Sequence, residues 1–227
     1  MINRIHPLAL LLLALFVISA TGCRHNDNNA YNFNGPWLKT ETYTGSGGTS
    51  AVTYTYDSQH RLTAKNYSDG SVVAYQYNSS TIVETESSSM GTNQVVTYGL
   101  NNDGYAVIVD GVNIFTYDAQ HHVTGLDDGD LVTFVYNNGN LTSETTVGSS
   151  VTYQYLTNKT NTIGQQNYGL TWAGVQSTNL MSSEARVAGG STVTVTYTYE
   201  YDGQNRVTKR TDTHSTGVVE VWEYTYY

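Results

Sequence analysis

The feature that most constrains the fold of this chain is an alternation of side chains with period two. Valine or tyrosine alternates with threonine or glutamine along several short runs. The clearest runs are Val52 to Tyr56, Val73 to Tyr77, Val151 to Tyr155 and Val193 to Tyr199. Because successive side chains of a β-strand point to opposite faces, the pattern predicts strands with a valine/tyrosine face and a threonine/glutamine face. We therefore predict an all-β fold, although Asn179 to Val187 has room for a helical turn or two.

The predicted strands recur at a regular spacing. The tyrosine that ends a strand recurs after 21 residues from Tyr56 to Tyr77, and after 19 residues from Tyr136 to Tyr155. Such an interval holds a two-stranded hairpin and is too short to fold alone. Turn sequences separate the strands at 68–71, 101–104, 137–140 and 189–190. We expect roughly a dozen to sixteen short antiparallel strands in a meander, forming a soluble barrel or a strongly coiled sheet, with an irregular excursion between Thr157 and Gly190.

The first 22 residues have the pattern of a secretory signal. Arg4 precedes the apolar run Leu8 to Ile18, which is too short for a comfortable membrane span. The run leads to Ala20-Thr21-Gly22-Cys23, which resembles the lipobox of bacterial lipoproteins. The resemblance implies that residues 1–22 are a lipoprotein signal peptide and that Cys23 is lipidated. The alternative is an ordinary signal peptide with an incidental cysteine, but Cys23 is the single cysteine of the chain.

The segment after the cysteine differs in composition from the rest. Residues 23–35 are rich in asparagine and lack apolar periodicity, which predicts a flexible tether between the lipid and a single all-β domain at 36–227. Arg24, rather than aspartate, after the cysteine favours the outer membrane if enterobacterial sorting applies. The periplasmic and the surface face of that membrane both stay open.

Charge narrows the range of partners. The chain has 10 basic and 19 acidic residues and a formal net charge of −9, so nucleic acid is not an expected partner. The partners that we expect are the membrane, through the lipid anchor, and a glycan or an envelope protein.

Three predicted turns share one pattern. They begin with Tyr56-Asp57, Tyr117-Asp118 and Tyr201-Asp202. The pattern resembles the tyrosine-aspartate repeats of the Rhs type, whose consensus places glycine, arginine and an apolar residue after the pair. Here the glycine position holds His60, His121 and Asn205. We expect each aspartate to cap a tight turn, the residue at the glycine position to be left-handed, and Leu62, Val123 and Val207 to restart a strand.

The order of features along the chain adds a second resemblance. A lipobox, an asparagine-rich tether, these turns and the segment Gly174 to Leu180 ahead of a tyrosine-rich strand together resemble Bacteroidota lipoproteins of unknown function. Some of these are described as having a porin-like β-barrel fold. The resemblance implies an architecture and brings no activity, because that family has no assigned catalytic residues.

No motif of the sequence predicts an enzyme, a cofactor or a metal. The histidines of the mature chain lie in the tether or near turns, without the spacing of a metal site. The acidic run Asp127 to Asp130 lacks the closing glutamate of a calcium loop, so a solvated turn is the better interpretation. Serines are plentiful, yet no GxSxG motif is present. We predict no catalytic, cofactor-binding or metal-binding residues.

Tyrosine is the unusual component, with 20 tyrosines against 4 phenylalanines. Stacked across strands, the tyrosines could simply be the core. Each buried hydroxyl then needs a partner, since an unpaired one costs roughly 1–3 kcal/mol. A partly open interior avoids that cost, with a candidate ligand rim formed by Tyr56, Tyr77, Tyr155 and Tyr201. An integral outer-membrane pore is disfavoured, because the clear strands are short and Glu220 and Glu223 put a charge on each face of the last strand.

The leading functional hypothesis is therefore a non-catalytic, membrane-anchored binding or interaction module of the cell envelope with an unidentified ligand. The alternative is a structural accessory of the outer membrane whose tyrosines are only core. A more distant alternative is a hydrolase with a site scattered over the turns.

Overall fold

The computed structural model describes residues 35–88, 91, 93–127 and 129–227. The signal peptide, Cys23 and the tether up to residue 34 lie outside the described residues. The described part forms seventeen strands. They are β1 Leu38–Gly45, β2 Gly48–Tyr56, β3 Leu62–Tyr67, β4 Val72–Tyr77, β5 Thr81–Ser87, β6 Asn93–Leu100, β7 Ala106–Val109, β8 Val112–Asn113, β9 Phe115–Tyr117, β10 Val123–Asp127, β11 Leu131–Asn137, β12 Asn140–Thr146, β13 Ser149–Thr160, β14 Asn179–Ala188, β15 Ser191–Tyr201, β16 Val207–His214 and β17 Val219–Tyr226.

The strands form one antiparallel meander that curls into a nearly closed barrel. Each strand pairs with its neighbour along the chain, and β8 and β9 act as one interrupted strand, because the N–H of Ile114 between them donates to the Val107 carbonyl of β7 at 2.9 Å. β1 pairs with both β2 and β17, so the first and last strands meet. The all-β meander is confirmed, and of the two predicted forms the barrel is the one observed.

The period-two pattern divides the barrel into an inner and an outer face. In β15, Val195 is buried while Thr194 and Thr196 on either side of it are exposed. β11 shows the same alternation, with Val132 and Phe134 buried. Valine and tyrosine therefore line the interior, and threonine covers much of the outside, where its β-branched side chain suits a pleated surface.

The three tyrosine-aspartate turns adopt the predicted conformation. His60, His121 and Asn205 have φ values of 59°, 65° and 59°. In the third turn one carboxylate oxygen of Asp202 accepts hydrogen bonds from the N–H groups of Gln204 and Arg206, both at 2.9 Å. The bond from the Arg206 N–H holds the pKa of the Asp202 carboxyl below its ordinary value. Strands restart at Leu62, Val123 and Val207 as expected.

An irregular segment closes one end of the barrel. Residues 161–178, which we call the plug, contain two short 3₁₀ helices, Gln165–Tyr168 and Thr171–Ala173. The Gly169 carbonyl accepts from the N–H of Leu62, and the N–H of Val175 donates to the His121 carbonyl at 2.8 Å. These contacts reach turns on different sides of the barrel, so the plug spans its end.

The two ends of the barrel differ. The plugged end carries the tyrosine-aspartate turns, and both ends of the described chain lie there, since the N–H of Tyr227 donates to the Trp37 carbonyl at 3.0 Å. The other end, which we call the open end, carries the turns at 45–48, 68–71 and 189–190.

One local prediction is wrong. Asn179 to Val187 is not helical but belongs to β14, and only residues 161–178 of the predicted excursion are irregular. Leu180 and Met181 are both buried although they are consecutive, because the register against β13 shifts between Tyr155 and its neighbour Gln154. This bulge breaks the alternation that marks the other strands.

Candidate binding cavity

A cavity of about 90 Å³ lies inside the barrel between β3–β9 and the plug. Its floor is formed by plug residues, among them Gln165 and Trp172. Its walls are mainly aromatic and apolar side chains of the strands. Exposure increases toward the open end, where Tyr67 and Glu86 are half-buried and Gln94 is exposed. The cavity is therefore blind at the plug and reaches solvent at the open end.

Lys65 is the cation of the cavity wall. It is only 7% exposed, and its ammonium lies 5.7 Å from the centre of the Tyr75 ring. Within the described part of the chain it makes no hydrogen bond and no ion pair. Burial lowers the pKa of this ammonium, and the charges of Glu84 and Glu41 oppose that shift without reversing it. The N–H groups of the Lys65 ammonium therefore donate to no side chain among the described residues.

Glu84 lies on the same wall, on strand β5. The hydroxyl of Tyr98 donates to one of its oxygens at 3.3 Å. Burial raises the pKa of this carboxyl above its ordinary value, and Lys65 lowers it only in part. Glu86, two residues along the same face, is nearer the open end.

The floor combines an aromatic ring with an amide. The Trp172 ring lies 4.6 Å from the Tyr98 ring and 6.5 Å from the Tyr75 ring, between centroids. Gln165 is 7% exposed, and its side-chain oxygen has no hydrogen-bond partner among the described residues. A buried acceptor left in this way costs free energy of order 1–3 kcal/mol, unless something in the cavity bonds to it.

The four tyrosines predicted as a ligand rim all lie at the plugged end. Three of their hydroxyls donate to backbone carbonyls: Tyr56 to Leu38 at 2.7 Å, Tyr77 to Leu62 at 2.8 Å and Tyr155 to Leu141 at 2.7 Å. Tyr201 is half-buried, with the Lys159 ammonium 4.5 Å from its ring centre. The structure does not bring these four residues together at the cavity. Their role in ligand binding stays a prediction.

The same contacts explain how the barrel buries so many hydroxyls. Leu38, Leu62 and Leu141 each lie at a shift in strand register. A bulge interrupts the ladder and frees a backbone group. A tyrosine from a neighbouring strand then supplies the missing donor, so hydroxyl and carbonyl satisfy each other.

The interior away from the cavity contains several paired charged groups. Arg210 donates two hydrogen bonds to Asp212, at 2.8 and 2.9 Å, and both side chains are buried. Nearby, the Tyr153 hydroxyl donates to Glu144 at 3.0 Å. The Tyr168 hydroxyl of the plug donates to the buried carboxyl of Glu41. The main charges on this side are thus paired, although Glu184 Oε2, Trp222 Nε1 and the Tyr224 hydroxyl are buried without a hydrogen-bond partner among the described residues.

Sequence reasoning missed the cavity residues. Lys65 and Tyr67, like Glu84 and Glu86, are two residues apart on the inward face, so charged residues in the inward register were a usable signal. Gln165 and Trp172 gave no such signal, because they lie in the irregular segment.

Two further features bear on the kind of site. No group of three or more histidine, aspartate or glutamate side chains in the described ranges is arranged to hold a metal ion. No helix among these residues has the length and apolar character needed to cross a membrane.

Fold and cavity together define a plugged, nearly closed antiparallel β-barrel with a blind internal cavity. A solved structure described as a porin-like protein from Bacteroides uniformis is similar to it, with a TM-score of 0.60 and 19% sequence identity over 84% of this chain and 98% of that chain. No family model matches the chain, and no curated protein does. At this level of sequence identity, the similarity concerns the β-barrel fold alone.

Proposed function

We propose that this protein is a non-catalytic, lipid-anchored binding protein of the bacterial cell envelope, with its ligand site in the internal cavity. The observation that carries the proposal is the cavity's chemistry. The ammonium of Lys65 lines the cavity without a hydrogen bond or ion pair to the described residues, and the side-chain oxygen of Gln165 is buried there without a hydrogen-bond partner among them. Concave, mostly aromatic pockets with a few convergent polar groups are typical ligand sites.

The geometry of the chain ends supports an anchored arrangement. Cys23 precedes Pro36 by 13 residues, a reach of roughly 45 Å when fully extended. Because the described chain starts at the plugged end, a tether from Cys23 would join the barrel at that end.

The outer face supports a barrel that stands in water. Strand β15 exposes Thr194, Thr196 and Thr198, and charged Glu200 follows on the same face. A lipid-facing barrel surface is apolar over a band about 25 Å tall, and the outer face of β15 lacks that character. The outer membrane is the membrane that we propose for the anchor.

A binding screen tests the proposal. The mature protein in mild detergent is titrated with defined oligosaccharides and short peptides, and Kd is measured by calorimetry. We expect at least one ligand whose binding is weakened tenfold or more by Trp172→Ala. Trp222→Ala, the same change at a tryptophan outside the cavity lining, serves as the control. If neither oligosaccharides nor peptides bind, or if both variants lose the same affinity, the cavity is not the ligand site.

A second candidate function is a structural accessory of the outer membrane. It is favoured by the network of tyrosine hydroxyls on bulge carbonyls and by the paired charges opposite the cavity, which serve stability without any ligand. A folded protein that binds nothing in the screen would support this alternative.

A further inference from the structure

We infer that the cavity receives the terminal residue of an uncharged glycan, with its ring against the aromatic wall and its hydroxyls on Lys65 and Gln165. This inference rests on the proposed function and specifies the ligand class of the same site.

The unpaired groups select for hydroxyls. Lys65 offers donors that lack an acceptor, whereas Gln165 offers an acceptor that lacks a donor. A hydroxyl both donates and accepts, so a ring with several hydroxyls satisfies the two groups together. An aliphatic group would leave both unpaired, and buried groups of this kind discriminate strongly against such a ligand.

The charges of the wall favour a neutral ligand. Glu84 and Glu86 line the cavity together with Lys65. A carboxylate or sulfate on the ligand would meet the two glutamates. An ammonium group would meet Lys65. A ligand charge of either sign would therefore meet a like charge as well as an opposite one, whereas a hydroxyl meets no repulsion.

The aromatic wall suits one face of a sugar ring. Tyr75, Tyr98 and Trp172 form a connected cluster next to the polar groups. An aromatic ring offers a flat apolar face, and the C–H groups of a pyranose face provide a matching surface. Apolar contact and hydrogen bonds can thus act on the same ring.

The blind shape selects a chain end. The plug closes the inner end of the cavity, so a polymer cannot thread through it. The cavity is small, and Tyr67 and Glu86 lie at its mouth. The next residues of the glycan therefore leave through the open end.

The test uses the mature protein in mild detergent and oligosaccharides that differ at the non-reducing end. Neutral hexose and N-acetylhexosamine ends are compared with the matching uronic acid and amino sugar ends. We expect a neutral end to bind at least tenfold more tightly than its charged counterparts. Lys65→Met and Gln165→Leu should each weaken that binding tenfold or more.

Gln176→Leu is the matched control. Gln176 is also 7% exposed, and its amide also lacks a partner among the described residues, but it does not line the cavity. Its substitution should leave Kd unchanged. A second readout needs no destabilising change: the sugar should raise the Tm of the wild-type protein and alter a fluorescence signal that is missing in Trp172→Phe.

The outcomes separate the two proposals. Preferential binding of peptides or of charged sugars through Trp172 would overturn the glycan inference and leave the binding function standing. Binding of neutral sugars that Lys65→Met and Gln165→Leu do not alter would also overturn it. A folded protein without any ligand would overturn both.

Discussion

Two cations, Arg210 and Lys65, are buried to the same extent inside this barrel but differ in their partners. Arg210 and Lys65 are each 7% exposed. Arg210 is held by two hydrogen bonds from its guanidinium to Asp212, whereas Lys65 has no ion pair among the described residues and faces the cavity. The difference shows that burial of charge serves two purposes here. The charge of Arg210 is paired within the fold, whereas the ammonium of Lys65 keeps hydrogen-bond donors available.

The choice of residue fits each purpose. The planar guanidinium of arginine matches a carboxylate with two parallel bonds, and the Trp222 ring lies 5.1 Å from its central carbon. A lysine ammonium is a compact charge on a flexible stem, which can turn toward a ligand. Four predictions follow from this contrast, in order of expected size.

Removing the partner of Arg210 should have the largest effect. Asp212→Ala leaves a buried guanidinium unpaired, which costs about 3–5 kcal/mol in the free energy of unfolding. Urea denaturation measures it. Glu200→Ala breaks the exposed pair with Lys209 and should cost under about 1 kcal/mol. Equal losses would mean that the buried Arg210–Asp212 pair stabilises the fold no more than the exposed Lys209–Glu200 pair does.

Removing Lys65 should affect stability much less. Lys65→Met eliminates a desolvated charge without leaving a donor unpaired, although Glu84 and Glu41 lose a nearby cation. We expect the free energy of unfolding at pH 7 to change by less than about 1 kcal/mol. A loss as large as that of Asp212→Ala, again measured in urea, would refute the contrast between the two sides.

The pH dependence of stability should separate the cavity carboxyl from the turn carboxyls. The folded-state pKa of Glu84 is raised, so its ionisation destabilises the fold progressively as pH rises above 4.5. The stability gained by Glu84→Gln should therefore grow from pH 4.5 upward and level off above the folded-state pKa.

Asp57 should show the opposite sign. Burial alone would raise its pKa, but hydrogen bonds from Arg61 and Gln59 lower it below 3.8. Wild-type stability relative to Asp57→Asn should be complete above pH 3.8 and vanish as pH falls through the folded-state pKa. Unfolding curves from pH 3 to 8 test both variants, and profiles of the same sign would contradict the assignment.

The smallest effect on stability is expected in the tyrosine-aspartate turns. Asn205 is left-handed, so Asn205→Gly should change stability by only a few tenths of a kcal/mol, whereas Asn205→Val should cost more than about 1 kcal/mol. His60 follows the same rule, but His60→Gly also removes a stacked contact with Trp37 at 4.8 Å. Thermal melts distinguish these cases, and indistinguishable glycine and valine variants would contradict the turn conformation.

The sequence was sufficient for features that depend on local geometry. The inward register of Val195 and the left-handed residue at His121 follow from alternation and from turn chemistry, which act within a few residues. β14 does not follow the alternation expected of a strand, because its bulge turns the consecutive residues Leu180 and Met181 both inward.

The cavity could be predicted only in part. Lys65 and Glu84 stand on the inward face of recognisable strands. The positions of Gln165 and Trp172 depend instead on contacts far along the chain, such as the close approach of Gly169 to Leu62 and His60. No local pattern encodes such contacts, and the position of a tyrosine near a strand end does not reveal that a carbonyl at a bulge accepts from its hydroxyl.

The seam between β1 and β17 sets an order for the assembly of the barrel. There the hydroxyls of Thr40 and Thr225 meet at 2.6 Å although they are 185 residues apart. Hairpins form from local contacts and therefore quickly, whereas this pairing carries the entropy of closing the longest loop in the domain. Because a chain is synthesised from its N-terminus, one edge of β1 stays unpaired until β17 is made, and it is until then an open template for pairing with other chains.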